Sequence, residues 1–168
     1  DKSKAEIVNS LIPSPTEVHI ARGASGKVVN STIGFLRGGG VSETSILSSK
    51  IDTLDACCPA KQTFFVSNST IANVAMGYNS STFISNSSVG KVLSKENATV
   101  RLSSSNAMEM VAIDNGVISV TWRLIIMVTL NDRPAEGVNL QIFYANNESL
   151  AITKTASADG KVICDLGE

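Results

Sequence analysis

Six Asn-x-Ser/Thr triplets, at Asn30, Asn68, Asn79, Asn86, Asn97 and Asn147, form the most frequent pattern in the chain that could carry chemistry. None has Pro in the middle, so each is a formal acceptor for N-glycosylation. With 13 Asn and 35 Ser plus Thr in 168 residues, chance alone would give roughly three. The excess and the clustering of four between 68 and 97 point to a decorated, solvent-facing surface outside a cell. A second reading stays open beside it, because Asn and Ser are preferred turn residues whatever the compartment.

The three cysteines are Cys57, Cys58 and Cys164. Adjacent cysteines rarely meet disulfide geometry, so Cys57 or Cys58 could instead reach Cys164. The loop closed would exceed a hundred residues, and the chain-entropy model values that at roughly 4–5 kcal/mol. The alternative is three reduced, buried thiols. No C-x-x-C or Cys/His spacing of a zinc site is present. His19 is the only histidine; it stands between Val18 and Ile20 on the polar side of an expected strand, a poor place for a Ser-His or Cys-His mechanism. Asp52 and Asp55 read as a solvated pair in preference to a cation site, and so do Asp132 and Glu136. The runs "RGGG" and "RGASGK" match no phosphate-binding loop. No catalytic, metal or cofactor site is expected, and the chain reads as a non-enzyme.

Composition narrows the partners. Charged residues make up 17% and the formal net charge is −1, which gives no electrostatic reason to expect nucleic acid. The longest apolar run, "LIIMV" at 124–128, is strand-sized, so membrane insertion is not expected. A chain that begins at Asp1 reads as the mature form of a secreted protein.

The elements that must position these groups read as strands. Ser, Thr, Asn, Val, Ile and Gly are abundant and helix formers sparse. Turn signals recur about every ten residues, the spacing of sandwiches and barrels. No repeat of 20–50 residues is evident. Two stretches read as helical. Ile7, Val8, Leu11 and Ile12 form a stripe that "PSP" at 13–15 ends. Leu47, Ile51 and Leu54 form another, with Ser42 as its N-cap. "VISVTWRLIIMVTL" (117–130) reads as a central strand apolar on both faces, with Trp122 in the core. Asp-Gly in "ADGK" signals a hairpin.

The run "VTLNDRPAEGVNLQIFYANNESLAITKTASADGKV" resembles the Ig-like and transthyretin-like β-sandwich modules of extracellular proteins, with Asp132 where their pattern has its first Gly. That resemblance implies an all-β, Ig-like β-sandwich of one or two packed domains. The division is an N-terminal extension (1–15), a β-rich glycosylated region (16–115) and Ig-like strands (116–168). The family pattern continues with a further strand, so a neighbour's strand would have to complete the sheet. In composition and plan the chain is also similar to archaeal donor-strand thread and pilus-like subunits. Glu109 and Lys154 could take part in the Lys–Asn cross-link of some pilus modules. The function implied is a glycosylated subunit of an extracellular filament, its partners being copies of itself joined head to tail by donor-strand exchange. The alternatives are a viral or phage fibre protein and a cell-surface carbohydrate-binding module.

Overall fold

The computed structural model describes residues 3–21, 23–57, 61–143 and 150–167. Among them are strands and no helix. The chain divides into two compact units, Asp1–Val120 and Thr121–Glu168.

The first unit is a parallel β-solenoid of about six turns. In chain order its strands are β1 (Lys4–Val8), β2 (Leu11–Ile20), β3 (Ser25–Val29), β4 (Thr32–Gly39), β5 (Ser42–Leu47), β6 (Lys50–Cys57), β7 (Gln62–Ser67), β8 (Thr70–Met76), β9 (Ser81–Ser85), β10 (Ser88–Ser94), β11 (Thr99–Ser103), β12 (Asn106–Ala112) and the start of β13 (Val117–Met127). Consecutive strands do not pair. Odd-numbered strands stack in one sheet and even-numbered strands in another. Every pairing resolved within these two stacks from β1 to β12 is parallel.

Equivalent corner serines are 21, 18, 20, 18 and 18 residues apart along the chain. The longer first coil carries its extra residues in β2, where the register with β4 shifts between Ile12 and Glu17. The extra two residues of the third coil fall between β6 and β7, since both Ser42↔Gln62 and Lys50↔Thr70 are offset by 20.

Each strand alternates, and its inward residues repeat from coil to coil. One column holds Ile7, Val28, Ile46, Val66, Ile84 and Leu102; a second holds Ile12, Ile33, Ile51, Ile71, Val89 and Ala107; a third holds Val18, Leu36, Leu54, Val74 and Val92, with the half-exposed Met110 in register at its end. Most of these side chains form one core cluster. Large and small residues complement each other across it. Phe64 is fully buried, and a Cβ on Gly38 would lie 2.7 Å from its ring and 2.5 Å from Gln62 Oε1. Glycine at 38 therefore leaves the space that the phenylalanine fills.

The corners explain why the chain can turn without orphaning its backbone. After each odd strand comes a residue in the left-handed region: Asn9, Asn30, Ser48, Asn68, Asn86 and Ser104, with φ between 47 and 49°. Asn tolerates this region better than most residues. A serine follows each time. Ser31, Ser49, Ser69, Ser87 and Ser105 are buried, and their hydroxyls do two jobs. Each donates to the carbonyl two residues back, at 2.7–2.9 Å. Each also accepts the N–H of the equivalent serine one coil earlier, at 3.1–3.2 Å. On the other side of the coil, the last three corners are tight turns. Tyr78–Asn79, Glu96–Asn97 and Asp114–Asn115 all have positive φ, the signature of type I′ turns, closed by Ser80 N–H to Gly77 O at 3.2 Å, Ala98 N–H to Lys95 O at 2.9 Å and Gly116 N–H to Ile113 O at 2.8 Å.

The second unit contains the rest of β13, β14 (Thr129–Leu130), β15 (Arg133–Pro134), β16 (Asn139–Phe143), β17 (Leu150–Thr155) and β18 (Lys161–Gly167). Here pairing is antiparallel: β13 with β18, β14 with β15, β16 with β17. Its buried core is Ala156, Val162 and Cys164, flanked by Ile126, Val128, Leu140, Ile142 and Ile152.

All-β is right, and the sandwich is not. The chain is a stacked coil, so the Ig-like and transthyretin-like resemblance does not hold. Nor does the likeness to donor-strand thread subunits, which assumed a sandwich plan. The two expected helices are strand pairs. The stripe Ile7, Val8, Leu11, Ile12 is the end of β1 and the start of β2, split by the Asn9–Ser10 corner. Leu47, Ile51 and Leu54 are likewise split between β5 and β6 by Ser48–Ser49. The 1–15 segment is not a free donor, because Lys4–Val8 pairs with β3 and Leu11–Ile20 with β4. Strand β13 has a neighbour on each side in the sheet order, but it is not buried on both faces, and Trp122 is 44% exposed instead of lying in the core. "ADGK" forms a turn with Gly160 at φ 73°, but the strands on either side of it pair elsewhere.

The corner serine sets a measurable cost. Ser87→Ala strips the acceptor from the buried Ser69 N–H, so it should destabilise the first unit by about 1–3 kcal/mol. Ser88→Ala, one residue on, should change stability by under about 0.5 kcal/mol. Urea denaturation of the two variants decides it. Gly38→Ala should cost about 1–3 kcal/mol through overpacking, partly recovered in the Gly38→Ala/Phe64→Leu double variant.

Candidate functional site

The outward columns of the solenoid are the surfaces on which its side chains could act. On the odd-strand sheet one column reads Glu6, Lys27, Ser45, Phe65, Phe83, Arg101. Parallel in-register pairing holds equivalent residues one strand spacing apart, about 4.8 Å, so like side chains stack. Phe65 and Phe83 do so with ring centroids 5.3 Å apart and planes 12° from parallel. The Arg101 guanidinium lies 5.7 Å from the Phe83 centroid, a cation–π contact that covers that end of the stack. At the other end, Lys27 Nζ pairs with Glu6 at 2.9 Å. Ser45 lies between, with Glu43 and Leu47 two residues away on the same strand and the same face. A groove lined by residues of β1, β3 and β5, among them Glu6, Ser25, Lys27, Glu43 and Ser45, opens on the side of Ser45 away from Phe65.

On the even-strand sheet Arg37 is the hub. It contacts Asp55 at 2.8 Å and Glu17 at 3.3 Å, and lies 4.8 Å over the Phe35 ring. This links three successive coils. Partly exposed pairs of this kind add little stability, and the cluster reads as register control.

The sequence-level candidates are scattered. Asn30, Asn68 and Asn86 occupy the left-handed position of the serine corners, and Asn79 and Asn97 the second position of the type I′ turns. All five are exposed. Asn147 lies outside the described residues. Cys164 is a free, buried thiol; Cys58 and the side chain of Cys57 lie outside the described residues. His19 is exposed on the outward face of β2. Asp55 is taken by Arg37, and Glu109 by Lys91 at 2.7 Å. Among the described residues no group of three or more His, Cys, Asp or Glu is placed to hold a metal ion. Sequence reasoning missed the Phe65–Phe83–Arg101 column. The signal was present as "TFFV", "STFI" and "TVRL" at intervals of 18, legible only once the period is known.

In the second unit, Arg123 Nε donates to Asp165 Oδ1 at 2.9 Å. That hydrogen bond holds the Asp165 carboxyl below its ordinary range and raises the guanidinium. Asp159 is pulled further. Lys161 Nζ lies 2.7 Å from Oδ2 and the Ser157 hydroxyl donates to Oδ1 at 2.6 Å. Together these bring its carboxyl from 3.8 to about 2, the Lys161 bond contributing most. A depressed folded value means that ionised Asp159 favours the fold above its ordinary value. The contribution fades as pH falls from about 4 through about 2. A carboxyl-carbon NMR titration should show the Asp159 midpoint near 2, and Lys161→Met should move it up towards 3.8. An unchanged midpoint in that variant would contradict the assigned cause.

Comparison with known proteins adds no name: no family model, no curated protein and no solved structure matches this chain.

Proposed function

We propose that this chain is a rod-forming structural segment of an extracellular assembly, with no catalytic role of its own. The observation that carries the reading is the corner column, six serines joined coil to coil by five hydrogen bonds. A stack of this kind grows in one dimension, each coil adding about 4.8 Å and contacting only its neighbours. Such an architecture supplies length, stiffness and a repetitive lateral surface. Copies of the same chain and covalent N-glycans are the partners in this reading. The donor-strand mode of polymerisation loses its basis, since the segment meant to be donated is paired within its own chain.

The corner geometry supplies a sufficient reason for Asn at each described sequon, namely a left-handed backbone. Glycosylation is therefore an added role, favoured by side-chain exposure. It is also limited by stacking. Asn68 and Asn86 sit on adjacent coils, as do Asn79 and Asn97, so two glycans would have to leave from points about 4.8 Å apart. Intact-mass and glycopeptide analysis of material secreted by the native source should find modified asparagines, with no molecule carrying glycans at both members of either pair. Immunogold electron microscopy should place the protein on extracellular fibres. Unmodified sequons together with labelling confined to the cell interior would end this reading.

A further inference from the structure

We propose that the outward face of the odd-strand sheet in the first unit pairs with the same face of a second copy, the two coil stacks running antiparallel. The starting point is how the two halves of that face differ. Across β7, β9 and β11 it is a ridge. Phe65, Phe83 and Arg101 stand in one column, and their outward neighbours on the same strands are all Ser or Thr. Across β1, β3 and β5 the same column continues as Glu6, Lys27 and Ser45, and these three line a groove. Phe65 and Phe83 are 42% and 37% exposed. Arg101 lies over Phe83 and pairs with no carboxylate among the described residues. The even-strand sheet is different, because its Arg37 and Lys91 are held by carboxylates of the same chain.

One symmetry operation matches ridge to groove. A two-fold axis lying in the interface along the strands sets each column opposite itself in reverse order. Arg101 then faces the partner's Glu6, Phe83 the partner's Lys27, and Phe65 the partner's Ser45. A closed two-fold makes each contact twice. The chemistry suits all three positions. Glu6 holds Lys27 through Oε1, which leaves Oε2 for the guanidinium. Lys27 meets an aromatic ring, a cation–π contact. The small Ser45 leaves room for the Phe65 ring. The other two-fold, with the stacks parallel, sets Arg101 on Arg101 and Glu6 on Glu6, and like charges across an interface are penalised. The charge order of the column therefore selects the antiparallel pair.

Size sets the strength. The face spans five strand spacings, about 24 Å, and three outward positions, about 13 Å. That is roughly 300–500 Å² per copy, short of the about 800 Å² that a standard interface buries on each side. The pair is weak, with a Kd on the order of 100 μM, and gains strength where copies repeat along a fibre. It rests on the rod reading only for its biological setting, since the face alone specifies the pair.

The test is sedimentation equilibrium of the whole chain, with reductant present, from about 10 μM to about 1 mM. The wild type should show a monomer–dimer equilibrium, with amide NMR shifts on dilution confined to the odd-strand face. Arg101→Glu should weaken self-association at least about tenfold, because a carboxylate then faces Glu6. Glu6→Arg should do the same, because a guanidinium then faces Arg101. Mixed in equal amounts, the two variants should associate, since both contacts become opposite in sign. Recovery on mixing separates a lost contact from a lost fold. A wild type that stays monomeric at about 1 mM would overturn the proposal. So would dilution shifts on another surface, undiminished self-association of Arg101→Glu, or folded variants that stay apart on mixing. Any of these would leave the fibre labelling untouched, and labelling confined to the cell interior would leave the pair standing.

Discussion

A backbone that turns a corner inside a stacked structure must find partners for its N–H and C=O groups, and the serine column meets that requirement. In a flat sheet the ladder is regular. At a corner the strand direction changes and the ladder would break. Here the left-handed residue keeps its own N–H on the next coil, as Asn30 does to Leu47 O at 3.1 Å and Asn68 to Ser85 O at 3.2 Å. The next residue turns its N–H away from any carbonyl, and the serine hydroxyl of the following coil receives it. The residue after that returns to the ladder, as with Thr70 N–H to Ser49 O at 3.0 Å. From Ser10 to Ser87 each corner serine N–H has its hydroxyl acceptor on the following coil, which is what a dry interior demands.

Everything else in the first unit is arranged around that constraint. Because the corners repeat in register, the inward aliphatic columns repeat too, and a core forms without long-range hairpins. Insertions are accepted where they do not disturb the serine corner. The first coil widens within β2 and the third between β6 and β7. The interior then adjusts locally, as where Gly38 gives way to Phe64. The second unit follows other rules. Its strands pair antiparallel and its buried core is small, with Ile125, Met127 and Ile163 at least half exposed.

Register also decides what the outside can do. Stacking brings like residues of successive coils together at one strand spacing, so a surface pattern is read across coils and not along the strand. Phe65 and Phe83, eighteen positions apart, become one aromatic element. Arg37 bridges Glu17 and Asp55 across three coils. The proposed rod arises from this property, through the length that repetition supplies.

Composition and alternation alone determined that the chain is all-β, because β-branched residues alternating with Ser and Thr between turn signals fit a pleated surface in any topology. They also marked some of the corners, since Asn-Ser at 68–69 and 86–87 is turn chemistry, but not those at 9–10 and 48–49, which read as helix. Which strand pairs with which was left to tertiary structure. A strand of five residues followed by a turn looks the same whether it folds back on its predecessor or steps past it to the next coil. Only the stacking of hydroxyl on N–H, with Phe64 set against Gly38 across the interior, selects the second. The sequons show the same division. Local chemistry explains why Asn stands there, and the coil spacing decides that Asn68 lies near Asn86 and Asn79 near Asn97.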